Sequence, residues 1–164
     1  NEELLKDNSS ISTFFGKSHI AANIRSTVQK VSPTESRILI NGPSGSGKKY
    51  LAKLIHNKSN RKKAAFIIAN TKRILTNNLE NDLFGEEDVS GVVKKIGLIE
   101  QAHKGTLYID EICNVDSRLQ ARLVQLLTEN VIQRFNGKYN IDIDVRMICG
   151  TSKNIKEEIE KKKF

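Results

Sequence analysis

Residues 42–49 read Gly42-Pro43-Ser44-Gly45-Ser46-Gly47-Lys48-Lys49, and Gly42 to Lys48 fit the spacing G-x-x-x-x-G-K. That spacing suits one task, cradling a chain of phosphates. Glycines let successive backbone N–H groups curl around the anion, and a helix starting directly after the loop adds the partial positive charge of its N-terminus. The lysine, Lys48, then reaches the β- and γ-phosphates of a nucleotide. A plain glycine-rich strand-to-helix turn is the competing reading, and the lysine together with the flanking elements argues against it. The strict motif closes on a Ser or Thr whose hydroxyl coordinates Mg²⁺, whereas here the residue is Lys49. A protonated ammonium is no metal ligand, so magnesium has to be held by another group, by water, or more weakly. Hydrolysis is put in doubt by this more than nucleotide binding is.

A second group of residues could complete such a site. The apolar run Leu107-Tyr108-Ile109 delivers Asp110 and Glu111 to a strand end. Beside a phosphate loop, Asp110 would orient Mg²⁺ and its waters, and Glu111 would polarise the water that attacks the γ-phosphate. The alternatives are two solvated carboxylates, or Glu111 capping the following turn. Asn70 ends another apolar run and should face the same cleft. It either restrains Glu111 by a hydrogen bond or simply favours a turn, and spacing alone does not separate the two.

These residues need elements to position them. Four short apolar runs rich in β-branched residues, Arg37–Asn41, Ala65–Ala69, Thr106–Asp110 and Val145–Cys149, read as buried parallel strands. Helical patterns lie over Ser18–Val31, Lys48–Asn57, Thr76–Leu83, Gly97–His103 and Asp116–Glu129, the last with Asp116 as N-cap. The stretch Val131–Ile143 reads as a β-hairpin turning at Asn136-Gly137. Alternating strands and helices predict a three-layer α/β domain around a parallel sheet.

Composition fits this picture. The chain has 164 residues, 38% hydrophobic and 28% charged, enough for one domain with a real core. No apolar run approaches the ~20 residues of a membrane span, so no membrane contact is expected. Cys113 and Cys149 lack metal-ligand spacing and read as reduced core thiols of a cytoplasmic protein. The net charge of +8 invites a nucleic-acid reading, but the basic residues are scattered and lysine outnumbers arginine 19 to 8. No recognition helix or aromatic platform accompanies them.

Taken in order, Phe15-Gly16-Lys17-Ser18, the loop at 42–49, the Phe66…Asn70 strand, Leu83-Phe84-Gly85, Gly105 to Ile112 and Asp144 to Ser152 resemble the central AAA+ domain of NtrC-type response regulators. The resemblance implies a P-loop NTPase fold in which 42–49 is the Walker A loop and Asp110 and Glu111 are the Walker B acids, Asp110 on the Mg²⁺ side. Asn70 matches the family's switch asparagine, Ser152 stands at its sensor-I asparagine, and the backbone at Phe15 and Gly16 would lie near the adenine. ATP or ADP and Mg²⁺ are the implied cofactors. Family members form rings, usually hexamers, and remodel sigma-54 RNA polymerase, and they often carry Glu where this chain has Lys49.

Two departures shape the expectation. The sigma-54-touching Gly-Ala-Phe-Thr-Gly-Ala loop is replaced by a shorter stretch, Glu86 to Gly97, which is typical of the NtrX branch. The chain also stops at Phe164, before the family's arginine fingers, last strand (expected beside Arg37–Asn41) and helical lid. Residues 1–12 then read as a linker from a receiver domain that answers to a sensor histidine kinase, and 13–164 as the nucleotide-binding subdomain. The expected function is an ATP-binding module of a two-component transcription regulator. Nucleotide would govern its self-association, from dimer to hexamer, and DNA would be bound by a further C-terminal domain. An active ring ATPase remodelling sigma-54 polymerase is the alternative, and a nucleic-acid-handling AAA+ protein such as a helicase loader is a third reading.

Overall fold

In the computed structural model, residues 18–71 and 79–162 are described. The expected linker at 1–12, the adenine-side Phe15 and Gly16, and the start of the helical pattern at Thr76 lie outside them. The described elements run α1 (His19–Val31), β1 (Ile38–Asn41), α2 (Lys48–Asn57), β2 (Phe66–Asn70), α3 (Leu79–Phe84), β3 (Glu86–Glu87), β4 (Val93–Lys95), α4 (Leu98–Gln101), β5 (Thr106–Asp110), a 3-10 turn (Ile112–Asn114), α5 (Ser117–Glu129), β6 (Val131–Ile132), β7 (Ile141–Asp142), β8 (Arg146–Thr151) and α6 (Ile155–Glu160).

The four apolar runs form a parallel sheet in the order β1-β8-β5-β2. Parallel strands buried on both faces need apolar side chains pointing both ways, and the two sets separate cleanly here. Ile40, Tyr108 and Ile148 face one way, with Ile38, Phe66 and Ile68 half-buried beside them, and pack on Val28 of α1 and Ala52 and Ile55 of α2. Ala69, Leu107, Ile109 and Met147 face the other way onto Leu83 and Phe84 of α3, Ile99 of α4 and Leu119, Leu123 and Leu126 of α5. Each such buried aliphatic side chain contributes roughly 1.5–3 kcal/mol. The result is the expected three-layer α/β domain.

Helix boundaries follow local signals. The Ser18 hydroxyl accepts the Ala21 N–H at the start of α1, and the Asp116 carboxylate accepts the Leu119 N–H at the start of α5. Register aligns the strand ends: Asn70 lies opposite Asp110, Ile109 opposite Cys149, and Asn41 opposite Thr151. All four strands therefore deliver their C-terminal residues to one edge of the sheet, where ligands of open α/β folds sit.

Two details differ from expectation. The hairpin at 131–143 pairs only Val131–Ile132 with Ile141–Asp142, and Asn136-Gly137 forms a turn inside a long loop. The reason is competition for backbone groups: Phe135 accepts the Glu87 N–H and donates its own to Gly85 O, both at 2.9–3.0 Å, drawing the chain out of its hairpin ladder. The second is a small antiparallel pair, β3 with β4, in the segment after Leu83-Phe84-Gly85. Arg134 binds these pieces together, with its guanidinium on both Glu100 oxygens at 2.8 and 2.6 Å and on Glu87 at 2.6 Å.

Candidate functional site

The loop after β1 has the shape its glycines suggest. Gly45 and Gly47 take φ of 80° and 87°, backbone open to glycine and costly for most other residues. Gly42 N–H reaches Thr151 O at 3.1 Å, tying the loop to the end of β8, and Leu51 N–H reaches Gly47 O at 2.9 Å as α2 begins. Lys48, in the first turn of α2, is buried. Its ammonium donates to Gly42 O at 2.9 Å and Pro43 O at 3.0 Å, and faces Glu111 Oε1 at 3.6 Å.

Glu111 follows the half-buried Asp110 that ends the otherwise buried β5. Its backbone is left-handed, φ 55° and ψ 53°, a conformation that costs a non-glycine residue about 1–3 kcal/mol and concentrates at functional sites. Neighbours hold it there: the Thr71 hydroxyl donates to Asp110 O at 2.9 Å and Glu111 O at 3.1 Å. The side chain is only 3% exposed, so it is no solvated carboxylate, and it makes no capping bond to the turn that follows. Glu111 Oε2 accepts the backbone N–H of Ser152 at 2.9 Å and its hydroxyl at 2.8 Å. Asp110, half-buried, accepts the Tyr108 hydroxyl at 3.0 Å. Burial first, then the Asp110 hydrogen bond, push the Tyr108 phenol well above its usual range, so it stays a donor.

In front of these groups lies a cleft of about 520 Å³ lined by Ser44, Gly45, Gly47, Lys48, Lys49, Tyr50, Lys53, Asp110 and Glu111. A cleft of this volume is within the usual range for small-molecule sites. Its chemistry is that of an anion site: backbone of a glycine loop, a helix N-terminus and three lysines, faced by two carboxylates.

Residues 14–164 match the family described as the sigma-54 interaction domain. The chain belongs to that family. NtrX of Azorhizobium caulinodans, a nitrogen assimilation regulatory protein, is 40% identical over 152 residues, covering 93% of this chain and 34% of that protein. Crystalline NtrX from Brucella abortus superposes with a TM-score of 0.86 at 34% identity, over 99% of this chain and 37% of that one. The same protein solved with ATP gives a TM-score of 0.85 at 32% identity, covering 99% of this chain and 38% of that one. This sigma-54 interaction domain thus spans about a third of the length of these NtrX relatives.

Of the residues the sequence singles out, the domain brings Gly42 to Lys49, Asn70, Asp110, Glu111 and Ser152 to one end of its sheet. Asn70 sits on β2 in register with Asp110. Ser152 donates to the Glu111 carboxylate, a placement that its sensor-I alignment does not suggest. Sequence reasoning passes over Tyr108, Thr71 and Lys53. Only Tyr108 carried a signal, a phenol inside an otherwise aliphatic strand. It has room because β8 carries Gly150, two residues beyond Ile148, its register partner, and a Cβ there would lie 2.2 Å from the Tyr108 hydroxyl.

Proposed function

We propose that this domain binds ATP and ADP through residues 42–49 and serves as the central, nucleotide-responsive module of a two-component transcription regulator of the NtrX kind. The observation that carries the reading is the arrangement of Lys48 and Glu111 across the mouth of the glycine loop, 3.6 Å apart. The ammonium is already at the phosphate end of the cleft, and a polyphosphate would give it anionic partners in place of two carbonyls. NtrX of B. abortus has been crystallised with ADP and with ATP, which supports the choice of ligand. Glu111, fixed by Ser152, would orient and polarise a water, and Asn70, from the neighbouring strand end, would restrain that carboxylate. Phe15 and Gly16 would contribute on the adenine side.

Magnesium fits less well. Among the described residues no three His, Cys, Asp or Glu side chains converge on one point, Lys49 replaces the hydroxyl ligand, and one Asp110 oxygen already takes the Tyr108 hydroxyl. Asp110 is the one carboxylate left to face a metal that arrives with the phosphates. No catalytic step is therefore assigned to a metal.

In the whole protein, nucleotide would govern self-association, a receiver domain would answer a sensor histidine kinase, a C-terminal domain would bind DNA, and the setting would be cytoplasmic. Among the described residues no helix is long and apolar enough to cross a membrane. Activation of sigma-54 polymerase is not part of the proposal, because the β3–β4 segment closes on a short turn. There Asp88 accepts from the Ser90 hydroxyl and from the N–H groups of Ser90 and Val92. A second reading, an active ring ATPase, is favoured by the buried and doubly hydrogen-bonded Glu111. Nucleotide binding and phosphate release by the full-length protein over a concentration series separate the two. A silent binder gives binding without release at every concentration; a ring enzyme gives release that rises steeply with concentration. Absence of ATP binding would refute both.

A further inference from the structure

Lys49 and Lys53 are one helical turn apart on α2, so their side chains leave the same face. Both are exposed, both line the cleft in front of the glycine loop, and neither has an ion pair among the described residues. Lys48, by contrast, is buried and engaged by Gly42, Pro43 and Glu111. The cleft therefore carries two further cations without an ion-pair partner among the described residues, on the helix whose first turn follows the loop. Lys49 stands where a metal-dependent loop has its hydroxyl ligand. Against these stand Asp110, with one oxygen on Tyr108, and Glu111, held by Ser152 and Lys48.

We propose that Lys49 and Lys53 take the place of the divalent ion, so that this cleft binds a nucleoside triphosphate without magnesium. The inference rests on reading 42–49 as the phosphate loop. Its physical basis is charge. A triphosphate brings close to four negative charges, which a dication ordinarily halves before the ligand enters a protein. An ammonium on the residue where the metal's protein ligand would stand attracts the bare triphosphate and repels the dication at a few ångströms. Mg²⁺ also gives up its water reluctantly and usually relies on one or two carboxylates besides the phosphates. This cleft offers it one at most.

Calorimetric titration of the whole protein with ATP, once in excess Mg²⁺ and once in EDTA, tests the idea. The wild type is expected to bind in both, with dissociation constants within about threefold, a small difference on the affinity scale. Lys49→Thr restores a hydroxyl and removes the ammonium; it is expected to bind at least about tenfold more weakly in EDTA and to recover in Mg²⁺. Lys53→Ala should weaken binding in EDTA more than in Mg²⁺. Both residues are exposed, and unchanged melting temperatures would show that the variants fold. A wild-type affinity that collapses in EDTA, or a Lys49→Thr variant that binds equally well without the metal, overturns the proposal while leaving the phosphate-loop reading standing. Failure of the wild type to bind ATP in either buffer overturns both.

Discussion

Glu111 concentrates the chemistry of this domain in one side chain. Its buried carboxylate accepts two hydrogen bonds from Ser152, which is itself exposed, and faces the buried Lys48. A hydrogen bond to a charged, buried group contributes about 1.5–3 kcal/mol. Ser152→Ala removes the hydroxyl and keeps the backbone donor, so urea unfolding of the nucleotide-free domain should show a loss of that size. A loss below about 0.5 kcal/mol would mean the contact does not bear on the fold. Glu111→Gln keeps the shape and removes the base: ATP binding by calorimetry should persist, while any phosphate release by the full-length protein should fall about 100-fold or more. At this scale the sequence is legible where chemistry is local. Gly42 to Lys48 are neighbours in the chain, and spacing alone identifies them. The pairing of Ser152 with Glu111 depends on how β8 and β5 lie side by side, and no local pattern records that.

Among the elements, strands and long helices come through the sequence well because burial on both faces makes the strands continuous apolar runs and imposes a period near four on α2 and α5. Short pieces do not. The β3–β4 pair and the opened 131–143 hairpin are decided by Phe135 bonding to Gly85 and Glu87, residues far away in sequence. Two polar residues inside apolar elements have tertiary reasons as well. Arg146, buried at the first position of β8, donates to the carbonyls of Val31 at 2.7 Å and Ser32 at 2.8 Å, closing the C-terminal end of α1. Arg146→Leu should cost about 3 kcal/mol in denaturant unfolding, and a neutral result would contradict the capping role. His56 joins α2 to β5 through Thr106 Oγ1 at 2.9 Å. Burial is the main cause that lowers its pKa from the usual 6.5. A lowered folded-state value means that stability is full above pH 6.5 and is lost as pH falls from there through the folded-state value. Thermal melts between pH 8 and 5 should drop for the wild type and flatten for His56→Gln; parallel profiles would rule the effect out.

For the molecule as a whole, the legible part was the α/β architecture, dictated by four apolar runs between helices. Strand order was not in the local pattern, since it depends on which crossovers the chain makes. The order found leaves β1 at one edge, with β8 as its sheet partner among the described residues. Leu39 on that strand is 47% exposed, and beside it Ile20, Ile24, Val31 and Leu51 help line an apolar groove of about 330 Å³. An exposed strand edge beside apolar surface favours pairing between molecules. The 164-residue chain should accordingly self-associate with rising concentration in sedimentation, and Leu39→Lys should reduce that association; identical profiles would contradict the edge account.

The whole account rests on Lys48 meeting a phosphate chain inside the Gly42–Gly47 loop. Calorimetric titration of Lys48→Ala with ATP, on protein whose melting curve confirms folding, addresses this most directly. Loss of measurable binding, against a wild type that binds, is the result predicted. An affinity within about threefold of the wild type would contradict the assignment of the cleft.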